Sequence, residues 1–214
     1  MIISPGRSFI FVHIPKTGGT SMAVALESRA KADDILIGDT PKAKKRNRRL
    51  RGVASAGRLW KHSTLADISG LISDEVIDAA LIFSLVRNPW DRVFSFYCWA
   101  QSQRFDNLLV NLARQSSFTE FLNKPAVSAA LRADPYSRYV TDISGCERWC
   151  LWIRLEHWQE DSPPLWDHLG FRLDLPYLNQ SNRRHNYREA YSIADAKIVE
   201  RACSQDIERF AYQF

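Results

Sequence analysis

The residues best suited to chemistry lie in Pro15-Lys-Thr-Gly-Gly-Thr-Ser21, which follows a short apolar run and precedes a helix-compatible segment from Met22 to Lys31. Strand, tight loop and helix N-terminus in that order form a phosphate-holding geometry, because the first turn of a helix carries unpaired N–H groups and a partial positive charge. Gly18 and Gly19 remove Cβ atoms that would keep an anion off the backbone. Lys16 adds a cation, and Thr17, Thr20 and Ser21 add hydroxyl donors. The nucleotide-triphosphate loop places Gly-Lys-Ser/Thr at its end. Here the Lys precedes the Gly pair, so that motif is absent. The competing reading is a Gly-rich turn capped by Thr20.

A second segment repeats the architecture. Ala80–Val86 is apolar but for Ser84, as expected of a buried parallel strand. Arg87 sits at its end, Asn88 can cap, Pro89 suits the first helical position and Asp91 the first turn. Ser95 falls about two turns into that helix. A guanidinium fork and a hydroxyl can grip one phosphate from two sides. An ion pair at the sheet rim would equally explain Arg87, and a packed helix face Ser95.

Pro15–Ser21 followed by Val86-Arg-Asn-Pro-Trp-Asp-Arg92 resembles the sulfotransferase superfamily, closest to its carbohydrate sulfotransferase branch, sulfotransferase family 2. Leu175-Pro-Tyr-Leu-Asn-Gln-Ser181 and the closing Ile207–Phe214 extend the resemblance, with gaps near 33–58 and 100–135. The resemblance implies 3′-phosphoadenosine-5′-phosphosulfate (PAPS) as co-substrate and no metal. Lys16, Thr17, Gly18, Gly19, Thr20 and Ser21 would hold its 5′-phosphosulfate end, and Arg87 and Ser95 its 3′-phosphate. Asn179, Ser181, Arg183 and Arg184 lie in a basic loop that could close over the donor, with Ser181 and Arg184 as further contacts; a solvated linker is the other reading. His62, the one His between the two motifs, is the general-base candidate. Lys16 is the candidate for stabilising charge on the leaving oxygen. His13 lies inside the first strand, where a buried or paired role is expected. Trp90 could stack on adenine or pack the helix start.

These residues need an α/β frame. Residues 8–14 read as a strand, 20–31 as a helix, 35–37 as a short strand, 41–58 as a polar basic loop and 73–78 as a helical turn. The strand at 80–86 follows, then a long helix from about Pro89 to Gln103, a short helix at 117–123, a strand at 152–155, a helical run at 162–170 and a last helix at about 192–210. Strands alternating with helices predict a P-loop-like three-layer fold: a central parallel sheet flanked by helices, with its site at strand C-terminal ends. At 214 residues a single domain, 1–214, is expected.

The chain carries a formal net charge of +5, which suits an anionic donor and an anionic acceptor, and suits nucleic acid equally on charge alone. The most charged stretch, Lys42–Arg51, reads either as a solvated loop or as a guide for an anionic glycan. No run approaches the ~18 apolar residues a membrane helix needs, and no signal-peptide pattern opens the chain; a cytoplasmic, bacterial setting is expected. The four cysteines form no zinc pattern and reduced thiols are expected.

The expected activity is sulfuryl transfer from PAPS to an acceptor hydroxyl, on a carbohydrate, with a His base. A P-loop kinase or nucleotide triphosphatase is disfavoured by the Lys position and the lack of a magnesium-binding Asp at a strand end. A nucleic-acid-binding protein lacks any recognised motif. A family member that binds donor without transfer is disfavoured by the intact Lys16, His62, Arg87 and Ser95. Acceptor identity and oligomeric state stay open.

Overall fold

A computed structural model of the chain describes residues 1–176 and 186–214. In chain order its elements are β1 (Ile2–Ser4), β2 (Phe9–Val12), α1 (Gly19–Ser28), β3 (Ile35–Leu36), α2 (Pro41–Arg46), α3 (Asp74–Ala79), β4 (Leu81–Val86), α4 (Pro89–Ser102), α5 (Leu108–Gln115), α6 (Phe118–Leu122), α7 (Pro125–Arg132), α8 (Ser137–Val140), β5 (Leu151–Arg154), α9 (Trp158–Asp161), α10 (Pro163–Leu169), α11 (Ile193–Ala202) and α12 (Ser204–Phe210). They group into two compact units, one from Met1–Val86 and Tyr136–Leu178, the other from Arg87–Pro135 and Asn179–Phe214.

The first unit holds a five-stranded sheet in the order β3-β1-β2-β4-β5. β2, β4 and β5 run parallel, with Val12 beside Ser84 and Val86 beside Arg154. β1 is antiparallel to both β2 and β3, so the sheet is mixed, with its parallel part at the strands that carry the motifs. β1 is not among the strands that the sequence pattern predicts. It is three residues long and joined to β2 by the Pro5–Arg7 turn, too short for periodicity to reveal.

Phe9, Phe11, Phe83, Leu85 and Ile153 pack on Met22 and Leu26 of α1 and on Leu165 and Leu169 of α10. Their alternates Ile10, Val12, Ile82 and Val86 are also buried, so both faces of the central strands are covered, which is why those strands read as apolar runs interrupted only by Ser84. The buried Ser84 hydroxyl donates to the Val12 carbonyl at 2.7 Å, pinning β2 to β4 near the C-terminal ends of both strands.

The second unit is helical. Trp90, Val93 and Tyr97 of α4 pack with Val110, Phe118, Phe121, Val127 and Val199. Asn107 caps α5, and Ser117 with Glu120 forms a capping box on α6. The helix expected at 117–123 is α6; the Asn107 cap is a sequence signal that could also have located α5. The expected last helix is two, α11 and α12, broken at Cys203, whose φ of −113° and ψ of 21° leave the helical range.

The basic segment expected as a loop is ordered. Thr40 caps α2 by accepting from Ala43 N at 3.1 Å, and Pro41 fills the first helical position. A 3-10 turn, Asn47–Leu50, follows. Three cations of the segment reach main-chain acceptors: Lys42 donates to the Glu27 carbonyl, Arg46 to the Lys31 and Asp34 carbonyls at 2.7 and 3.1 Å, and Arg49 to the Ala32 carbonyl at 2.5 Å. These carbonyls belong to the end of α1 and the loop after it, where unpaired acceptors and the helix dipole favour cations. Lys44, Lys45, Arg48 and Arg51 stay exposed.

Candidate active site

The loop after β2 is built by its own backbone. Lys16 is left-handed at φ 67° and Gly18 at φ 86°, and Gly18 is the N-cap of α1. A side chain at Gly18 would also press on Leu155, 3.0 Å from a Cβ. The buried Thr17 hydroxyl donates to the Ile14 carbonyl at 3.0 Å, closing the turn. Ser21 N and Met22 N both donate to Gly18 O, at 3.0 and 3.3 Å. The amides of Gly18, Gly19 and Thr20 find no acceptor among the described residues. Three unpaired N–H groups at the start of a ten-residue helix make a cradle for an anion.

Gly19 is required for a further reason. A Cβ there would fall 2.0 Å from Cδ2 and 2.5 Å from Nε2 of His13. The buried His13 ring therefore lies against the helix start, where any larger residue would displace it. His13 also stacks on Phe11, ring centroids 5.9 Å apart. Burial holds His13 well below the ordinary imidazole pKa, so it is neutral.

His62 joins this group from 49 residues away. Its Nδ1 lies 2.8 Å from the His13 carbonyl oxygen. A carbonyl only accepts, so Nδ1 carries the proton and Nε2 is left with its lone pair. The His13 and His62 rings meet edge to face, centroids 4.6 Å apart. Burial, opposed by the hydrogen bond to His13 and aided by the Lys61 charge, lowers the His62 pKa from 6.5 to about 4. His62 is thus a neutral imidazole with the tautomer a general base needs, but a weak base. Lys61 itself pairs with Asp39 at 2.7 Å.

Arg87 directly follows β4. Its Nε and Nη2 both reach Oδ2 of Asp91, at 2.7 and 2.5 Å. Asn88 caps α4 by accepting from Trp90 N at 3.1 Å. Trp90 is 3% exposed and donates from Nε1 to the Ala196 carbonyl at 2.9 Å; its ring contacts Phe214. Of the two readings of Trp90, packing is the one seen. Ser95 is buried on α4, and its hydroxyl has no partner among the described residues. Ser181 and Arg184, with Asn179 and Arg183, lie outside the described residues.

The structure therefore brings Lys16, Thr17, Gly18, Gly19, Thr20, Ser21 and His62 together in the sheet-bearing unit, and places Arg87 and Ser95 on the helical one. Sequence reasoning missed His13 as a partner of His62, because their contact runs through a main-chain carbonyl that carries no sequence signal. No group of three or more potential metal ligands occurs among the described residues. No helix among them is long and apolar enough to cross a membrane.

A helix start with unpaired amides among the described residues, at the C-terminal end of a parallel strand and beside an imidazole of fixed tautomer, gives this α/β protein a geometry suited to an anionic group. The family model described as "Sulfotransferase family" matches residues 1–213, and the chain belongs to that family. Among solved structures it is similar to mouse sulfotransferase SULT7A1 complexed with PAP, at 14% identity and a TM-score of 0.37, over 94% of this chain and 66% of that one. The chain thus spans just under two thirds of that protein's length. No curated protein matches it.

Proposed function

We propose that this protein transfers a sulfuryl group from PAPS to an acceptor hydroxyl on a carbohydrate. The observation that carries the reading is the cradle of Gly18, Gly19 and Thr20 amides, unpaired among the described residues, in a chain matched to the sulfotransferase family from residue 1 to 213. That span supports treating both compact units as one sulfotransferase domain.

The cradle, with Lys16, Thr17 and Ser21, receives the 5′-phosphosulfate end of the donor; Arg87 and Ser95 receive its 3′-phosphate, with Ser181 and Arg184 as further contacts. The acceptor oxygen attacks sulfur in line, its proton passes to Nε2 of His62, and the bond from sulfur to the 5′-phosphate oxygen breaks. Adenosine 3′,5′-bisphosphate leaves, its new negative charge met by Lys16 and the helix start. The weak basicity of His62 fits an acceptor whose hydroxyl gives up its proton late, as bond formation to sulfur acidifies it. Metal ions have no role in this scheme, and a cytoplasmic setting remains part of the proposal.

Calorimetric titration with adenosine 3′,5′-bisphosphate in the absence of magnesium tests it. Micromolar binding that collapses in Arg87→Ala supports the donor site. Absence of binding to the wild-type protein sinks it and directs attention to ATP.

A further inference from the structure

We propose that Trp60 and Arg58 form the acceptor subsite beside His62, and that this subsite takes a sugar ring bearing a carboxylate or sulfate. The inference rests on the sulfotransferase reading and deepens it.

Trp60 meets His62 edge to face, with ring centroids 4.9 Å apart and planes at 87°. It is nonetheless 43% exposed, so a large apolar ring is left open to solvent directly beside the candidate base. The turn that carries both rings is built rather than loose. Fully buried Ser63 accepts from Trp60 N at 2.9 Å, and its hydroxyl lies 3.0 and 2.9 Å from the Arg58 and Trp60 carbonyls that it serves as donor. With His62 held from the other side by His13, the indole and the imidazole keep a fixed relation before any ligand arrives.

Arg58 supplies the charge. Its guanidinium carbon lies 5.7 Å from the Trp60 ring centroid, and it pairs with no carboxylate among the described residues. A cation–π contact at an exposed site is weak, so it yields readily to an incoming anion. An indole face suits the C–H face of a pyranose, and the guanidinium fork suits a carboxylate or sulfate. The neighbouring surface agrees in sign. A Cβ at Gly38 would lie 3.8 Å from that of Ala43 and 4.0 Å from that of Lys61, so α2 packs beside the segment leading into His62. Lys44, Lys45, Arg48 and Arg51, exposed on α2 and the turn after it, extend the positive surface away from the base. That extension favours an acidic polysaccharide over a neutral one.

The test uses the full chain with PAPS, a uronate oligosaccharide (chondroitin-type) and a neutral dextran oligosaccharide of equal length. Transfer to the uronate chain is expected at lower KM than to dextran. Trp60→Ala should raise KM for both by about tenfold, and Trp60→Phe should recover most of it. Arg58→Ala should raise KM about tenfold for the uronate chain alone, removing the preference. Affinity for adenosine 3′,5′-bisphosphate should stay constant in all three variants, which also reports that they fold. Calorimetric binding of the uronate chain, which needs no donor, should follow the same order. Unchanged KM in both alanine variants, equal use of the two oligosaccharides, or tighter Arg58-dependent binding to duplex DNA would each overturn the subsite. Loss of wild-type bisphosphate binding would instead overturn the donor reading, with oligosaccharide binding still reporting on Trp60 and Arg58.

Discussion

The Nδ1–H of His62 donates to the main-chain carbonyl of His13 at 2.8 Å, so one residue fixes the tautomer of the other without using its own side chain. The same carbonyl sits between β2 and the loop that forms the anion cradle. The candidate base and the cradle are therefore positioned by a single stretch of backbone.

The pH behaviour of His62 follows from its burial. With a pKa lowered to about 4, the imidazole stays unprotonated through the neutral range. The acid limb of kcat should lie near 4 and show no inflection near 6.5. Stability has the matching sign. The unfolded chain takes up protons near the ordinary value while the folded His62 and His13 resist. The contribution of His62 is therefore complete above 6.5 and is lost as pH falls towards 4, and that of His13 has the same sign. Tm and kcat measured from about pH 3 to 8 check both. His62→Asn should lower kcat by about 10²–10⁴-fold with little change in bisphosphate affinity.

Gly19 is a steric requirement. Gly19→Ala would drive a methyl into the buried His13 ring, and overpacking of this kind costs about 1–3 kcal/mol. At about 2–4 °C per kcal/mol for a chain of this size, Tm should fall by several degrees, with bisphosphate binding lost. Gly38→Ala is the control, since its Cβ would meet neighbours only at ordinary contact distances. Equal tolerance of the two changes would refute the packing argument.

Lys16 joins function to strain. A non-glycine residue at φ 67° carries a backbone penalty of about 1–2 kcal/mol. Lys16→Gly should therefore be at least as stable as wild type, while Lys16→Ala gains nothing. Both should lose turnover by about 10²-fold or more if the ammonium meets charge on the leaving oxygen. Near-normal turnover in either variant removes Lys16 from the reaction.

Arg87 is held by Asp91 through a single carboxylate oxygen, which orients its guanidinium. A hydrogen bond to a charged group contributes about 1.5–3 kcal/mol, so Arg87→Ala should weaken bisphosphate binding roughly 10–100-fold. Arg87→Lys should restore only part, because an ammonium lacks the fork. Titration calorimetry on both variants reads this directly.

The basic segment divides into two roles. Replacing Lys42, Arg46 and Arg49 with Gln should lower Tm, because their carbonyl contacts hold α2 against the end of α1. Replacing Lys44, Lys45, Arg48 and Arg51 should leave Tm unchanged and flatten the salt dependence of acceptor KM. Charge alone does not separate the two sets, since Arg46 and Arg49 count equally with the solvent-facing cations in the sequence.

Much of the frame is legible in the sequence because short-range physics dictates it. Gly18-Gly19 suits a helix start closely packed on its neighbours, Asn88-Pro89 caps and starts α4, and an unbroken apolar run such as Phe9–Val12 must be covered on both faces. The cradle, the Arg87 position and the parallel strands follow from these local rules. Tertiary structure alone decided the antiparallel β1, the pairing of His62 with a carbonyl 49 residues away, the depressed imidazole pKa, and which cations of 42–51 face carbonyls and which face solvent. Those outcomes depend on desolvation and on which main-chain groups remain unpaired after the chain has packed, and neither is encoded by residue type within any short window.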